Sequence, residues 1–196
     1  GELCEEKLED AKKAWSWYRQ AFDALWHLPA TIPAVEEAAA RLEQWTGLID
    51  VYGAMTRAVS EPGEQVGWWL KIADVFEEKL DDPAQALEAV LRAFGLDPDD
   101  ASLLDRVDRL AVAAENWQRL ATVYGVLSKR QKSGEQRIEL LSRYARVLHE
   151  DGGQASAAYD VALKAFEIDP RSEDLLATVE RIGTDAKRWD DLVKVY

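Results

Sequence analysis

A chain of 196 residues with one cysteine, Cys4, can form no internal disulfide, and the same scarcity excludes a cysteine-based zinc site. Histidine is nearly as rare. His27 and His149 are the only two and lie 122 residues apart, so no metal-ligand or nucleophile–base pair can be read along the chain. No glycine-rich phosphate loop is present; Gly152-Gly153 falls at an expected turn between helices. No apolar run approaches the roughly 18 residues of a membrane span. The opening GELCEEKLED lacks the basic head and apolar middle of a signal peptide. Positive charge is also short: 24 Lys and Arg face 37 Asp and Glu, a formal charge of −13. That balance argues against nucleic acid, which is bound through clustered Lys and Arg, and favours a basic partner. Nothing here points to catalysis or to a cofactor. No stretch alternates with the period-two pattern of a strand for long enough to form one, so an all-α chain is expected.

What the chain does have is repetition. WTGLIDVY (45–52), WQRLATVY (117–124) and WDDLVKVY (189–196) share the pattern Trp-x-x-Leu-x-x-Val-Tyr at a constant spacing of 72 residues. Residues 45–116 laid over 117–188 without a gap match at 19 of 72 positions, where chance would give about five. The matches are mostly packing and turn residues. Ala73, Val75, Ala86, Leu91, Ala93 and Phe94 fall on Ala145, Val147, Ala158, Leu163, Ala165 and Phe166, and Asp97-Pro98 falls on Asp169-Pro170. The segment CEEKLEDAKKAW (4–15) lies over FEEKLDDPAQAL (76–87) by the same offset. The chain therefore reads as a partial unit 1–44, units 45–116 and 117–188, and the start of another at 189–196. It is expected to be an excised piece of a longer array.

Each unit reads as four helices. In unit 45–116 the first carries Trp45, Leu48, Val51, Tyr52, Met55 and Val59 on one stripe, and Ser60 with Pro62-Gly63 is expected to end it. The second runs over about 66–80. Asp82 is a natural N-cap with Pro83 at the first position of the third, and Asp97-Pro98 stops that helix. The fourth carries Leu103, Leu104, Val107, Leu110 and Ala114, after which Asn116 caps the next Trp helix. The paired acids Asp81-Asp82, Asp99-Asp100 and Asp190-Asp191 fall at helix starts, where caps and the helix dipole favour them.

With Ala73 and Ala86 where two helices would touch, Ala93 further on and a closing Pro98, residues 66–98 resemble the tetratricopeptide repeat superfamily, whose unit is an antiparallel helix pair of about 34 residues. The residues 100–133 depart from its pattern, with Trp117 and Tyr124 on the second helix. The resemblance implies tandem antiparallel helix pairs stacked in a right-handed superhelix, an α-solenoid with a concave binding face. It implies a non-catalytic scaffold that holds a protein or peptide. A structural spacer or end-to-end self-assembling array is the alternative, ahead of an enzyme-regulatory or RNA-binding repeat.

Candidate contacts are the residues that break the repeat or would line the concave face. Trp17, Trp26 and His27 replace the usual small residues and Asp-Pro turn of the partial unit, with HLPATIPA (27–34) as linker. They could dock a partner, since Trp dominates interface hot spots, or fill their own unit's core, or cover the join to a preceding unit of the expected array. Trp68 pairs with Trp69, one of the two expected in the core and the other half exposed. Asp74, Glu77 and Glu78 on the second helix, with Asp105 and Asp108 on the fourth, would attract a basic peptide or simply face solvent. The matching residues Arg146, His149 and Glu150 show that such a face is not uniformly acidic, and His149 reads as a tolerant surface position. The tryptophans at 45, 117 and 189 read as structural.

Overall fold

In a helix the Cβ atoms three and four residues apart lie on one face, so Leu48, Val51, Tyr52 and Met55 form a single stripe, and all four are buried. The computed structural model describes residues 11–28 and 30–193. Cys4, the segment 4–10 and Val195-Tyr196 of the third Trp motif lie outside them. Among the described residues there are eleven helices and no strand. They divide into two compact units, residues 1–110 and 111–196.

The first unit holds α1 (Ala11–Leu25), α2 (Thr31–Leu42), α3 (Trp45–Ala58), α4 (Pro62–Glu78), α5 (Pro83–Leu96) and the first part of α6 (Ala101–Ala113). From α1 to α5 each helix packs on the next. The tightest seam, between α4 and α5, buries the small residues Ala73 and Ala86 completely beside Leu87, Val90 and Ala93. The second unit holds the end of α6, α7 (Trp117–Arg130), α8 (Gly134–Arg146) with a π-turn extension Val147–Asp151, α9 (Ala155–Ile168), α10 (Glu173–Asp185) and α11 (Trp189–Leu192). Its core is built on Leu120, Tyr124, Leu148, Tyr159, Val179 and Ile182. Again each helix from α7 to α11 packs on its successor.

Local chemistry sets several boundaries. The Asp82 carboxylate accepts the Gln85 N–H at 3.0 Å and Asn116 accepts that of Arg119 at 3.2 Å, satisfying orphan donors at the starts of α5 and α7. Ser133 and Ser172 do the same for α8 and α10. Of the paired acids, Asp100 takes the N–H and hydroxyl of Ser102, while Asp191 binds Arg188 at 2.5 Å instead of capping. Two expectations need correction. Pro62-Gly63 does not lie between helices: Pro62 occupies the first turn of α4, where a missing N–H costs nothing, so the helix starts well before residue 66. The linker at 27–34 is shorter than it reads, because α2 begins at Thr31 and takes Pro33 into its first turn.

The turns carry a second repetition that side chains do not reveal. Five described residues have left-handed backbone: Glu43, Asp81, Glu115, Gly153 and Lys187. Each follows an even-numbered helix, and the first, third and fifth are 72 residues apart, as are the other two. After Glu43, Glu115 and Lys187 the next N–H reaches back five residues, Gln44 to Ala39, Asn116 to Ala111 and Arg188 to Gly183. After Asp81 and Gly153 it reaches back six, Asp82 to Phe76 and Gln154 to Leu148, so these turns hold one more residue. Either way a left-handed residue lets orphan carbonyls at the helix end be satisfied while the chain reverses. An L side chain there costs about 1 kcal/mol. Gly153→Ala has open space around its added Cβ, so it should lose about that much, by backbone strain alone. Urea unfolding followed by circular dichroism measures it.

Candidate functional site

The acidic residues expected to face a partner meet arginines of their own unit. Asp74 and Glu77 project from α4, and Arg106 and Arg109, one turn apart on α6, reach across to them. Arg106 Nη2 donates to Asp74 Oδ1 at 2.7 Å and to Glu77 Oε2 at 3.0 Å. Arg109 grips Glu77 with both terminal nitrogens, Nη1 on Oε1 and Nη2 on Oε2 at 3.1 Å. This fork geometry is the strong form of an ion pair. Asp108 is buried, Asp105 is exposed, and neither is free. Glu78 also stays on a solvent face, 3.7 Å from Lys79. The second unit carries a counterpart. His149 Nε2 lies 2.9 Å from Asp185 Oδ2, Arg181 Nη1 lies 3.3 Å from His149 Nδ1, and Arg181 Nη2 lies 3.7 Å from Glu150. Arg181 stands 72 residues after Arg109. His149 is thus a half-buried, partnered side chain, not the tolerant surface position that its repeat variation suggests.

The bond from Arg109 holds the Glu77 carboxyl below the usual carboxylate range, with Arg106 adding to it and burial opposing. The unfolded chain lacks this bond and titrates at the ordinary value. The stabilisation is therefore complete above the ordinary glutamate range and is lost as pH falls through the lower folded value. Thermal melts at neutral pH should show Glu77→Gln less stable than wild type, and the gap should shrink as the solution is acidified.

Trp68 is also engaged within the unit. Its ring lies 5.6 Å from that of Tyr52, and Lys71 Nζ sits over both rings, at 5.2 Å from Trp68 and 5.4 Å from Tyr52. Lys71 and the Tyr52 hydroxyl donate to the same oxygen of Glu36, at 2.6 and 2.7 Å. Burial first, and then the Glu36 bond and charge, push the Tyr52 phenol far above its ordinary value. Trp68 and Trp69 are both half-buried.

Trp17, Trp26 and His27 are exposed. Trp17 keeps 49% and Trp26 41% of their surface in solvent, so neither serves as a core filler. Trp26 and His27 meet edge to face at 6.2 Å, flanked by exposed Leu25 and Leu28, whereas no ring contact joins Trp17 to them among the described residues. Of the structural tryptophans, Trp45 and Trp117 are half-buried and Trp189 is 55% exposed.

A cavity of about 690 Å³ in the first unit is bounded by α1, α3, α4 and α5. Arg19, Arg57 and Arg92 stand on its walls with Asp50 and Glu88, and Trp69, Ile72 and Phe76 supply apolar surface. Sequence reading missed it, because Asp50, Gly53 and Arg57 look like an ordinary solvated face of one helix; only packing sets them opposite Arg92. Among the described residues no group of three or more His, Cys, Asp or Glu side chains could hold a metal ion, and no helix is long and apolar enough to cross a membrane. Comparison with family models and with curated proteins finds no match.

Proposed function

We propose that this chain is a tetratricopeptide-like repeat segment that acts as a non-catalytic scaffold for a protein or peptide, its helical hairpins winding in a right-handed superhelix. The observation that carries the reading is the exposed apolar patch formed by Leu25, Trp26, His27 and Leu28. Large aromatic side chains kept in water beside other apolar residues mark contact surfaces more often than chance exposure does. The recurring left-handed turns, which reverse the chain after every second helix, support the repeat-segment part of the proposal. A basic partner at Asp74 and Glu77 is no longer favoured, because Arg106 and Arg109 already supply the opposing charge. The test is affinity capture with the wild-type chain and with Trp26→Glu. A partner retained by the first and lost by the second supports the scaffold; a set of captured proteins indifferent to the substitution counts against it. Exposed Trp189 and Val193 favour self-association as a second reading. Sedimentation that stays monomeric at high concentration would remove it.

A further inference from the structure

The cavity of the first unit has a chemistry that the scaffold reading does not use, and the inference drawn from it stands apart from that reading. In a chain of net charge −13 its walls bring together three arginines, Arg19, Arg57 and Arg92, with the carboxylates of Asp50 and Glu88. Arg19 is committed, 3.2 Å from Asp23 and stacked over Phe22, and Glu88 has a partner of its own. Among the described residues Arg57 and Arg92 form no ion pair. Arg92 is held over the Trp69 ring at 5.9 Å, which fixes one guanidinium against an aromatic wall. Arg57 folds back along α3 over Gly53, whose missing side chain leaves the floor open: a Cβ there would meet only Arg57 Nη1, at 3.8 Å. Two unpaired guanidiniums, each a planar fork matched to a carboxylate or phosphate, thus share a recess with Trp69 and Phe76. The volume lies within the range of small-molecule sites, about 300–1,000 Å³.

We infer that this cavity binds a small organic anion: a carboxylate or phosphate monoester on an aromatic body, its charge held by Arg57 and Arg92 and its ring against Trp69 and Phe76. The size of the recess and the pairing of two forks with aromatic walls favour a small ligand over a nucleic acid strand, which would need a continuous basic track.

The experiment is calorimetric titration of the whole chain with benzoate, phenyl phosphate, benzyl alcohol and benzylamine, with the Trp69 indole resonance followed by NMR. Benzoate or phenyl phosphate should bind and shift Trp69, at least about tenfold more tightly than the neutral and cationic analogues. Arg57→Gln and Arg92→Gln should each weaken binding by about tenfold while unfolding temperatures stay near wild type. Gly53→Leu replaces a poor helix former by a good one, so it should fold at least as well, yet fill the recess and abolish binding. The inference is overturned if neither anion binds at millimolar concentration, if benzylamine binds as well as benzoate, or if binding survives all three substitutions. It is overturned too if an acidic peptide binds where neither small anion does. None of these results bears on the exposed Trp26 patch, whose test is separate.

Discussion

Replacing Tyr124 by alanine should destabilise the second unit by about 3–5 kcal/mol, the range for deleting a large buried aromatic side chain. Tyr124 is 1% exposed, and its ring stacks on Tyr144 at 4.4 Å with 7° between the planes. Its hydroxyl accepts from Arg143 Nε at 3.0 Å. Alanine therefore removes the buried area, the stacked pair and an acceptor for a charged donor together, and it leaves a void bounded by α7 and α8. Tyr124→Phe separates these contributions. It keeps the ring and the stack, so it should lose only about 1.5–3 kcal/mol, the share of a hydrogen bond from a charged group. Urea unfolding at several wavelengths measures both. Equal losses for the two substitutions would show that the hydroxyl, and not the packed ring, holds this seam.

Gly152→Ala is expected to cost about 1–3 kcal/mol, the range for overpacking a filled site. Backbone conformation is not the cause, since Gly152 has φ −98° and ψ −14°, which any residue adopts. Space is the cause. A Cβ at this position would lie 2.6 and 2.7 Å from two atoms of the Trp117 ring and 3.1 Å from the Leu148 carbonyl oxygen. The indole or the turn must move. Its neighbour Gly153 makes the opposite case, with open space and left-handed backbone, so two adjacent glycines are required for different reasons. The steric account is checked by a double-mutant cycle: Trp117→Leu should recover most of what Gly152→Ala loses. If the two losses simply add, the ring is not the obstacle. The repeat shows that the clash is local. Seventy-two residues earlier the position of Gly152 is filled by Leu80, and the ring of Trp45 there lies under Lys79 at 5.7 Å.

What could be read from the sequence was what short range determines. Asp82 and Asn116 announce helix starts because a cap acts over three residues, and Leu48, Val51 and Tyr52 announce a buried face because a helix repeats every few residues. Pro62-Gly63 misled for the same reason. Proline ends a helix or opens one, and the pair reads equally well either way until the chain after it is packed. The left-handed positions at Glu43, Glu115 and Lys187 were not legible, because Glu and Lys carry no preference for that conformation and Gly153 alone among the five does so strongly. The ion pairs of the acidic face act at longer range. Asp74 and Glu77 lie about 30 residues before Arg106 and Arg109, a separation at which no local pattern signals a pair. The cavity belongs to the same class, since its arginines come from three helices.

Within each unit the well-packed helices are neighbours in sequence, and this bears on how the chain is made as well as on how it stands. Contacts between neighbours demand little loop closure, so their formation is fast and depends weakly on total length. A ribosome adds about 5–20 residues per second, and the left-handed turns bring a new hairpin into being within a few seconds of synthesis. Each hairpin can fold against the one just completed while the next is still being translated. Little apolar surface then waits uncovered for a distant partner, which lowers the exposure to aggregation that burdens chains held together by long-range pairing.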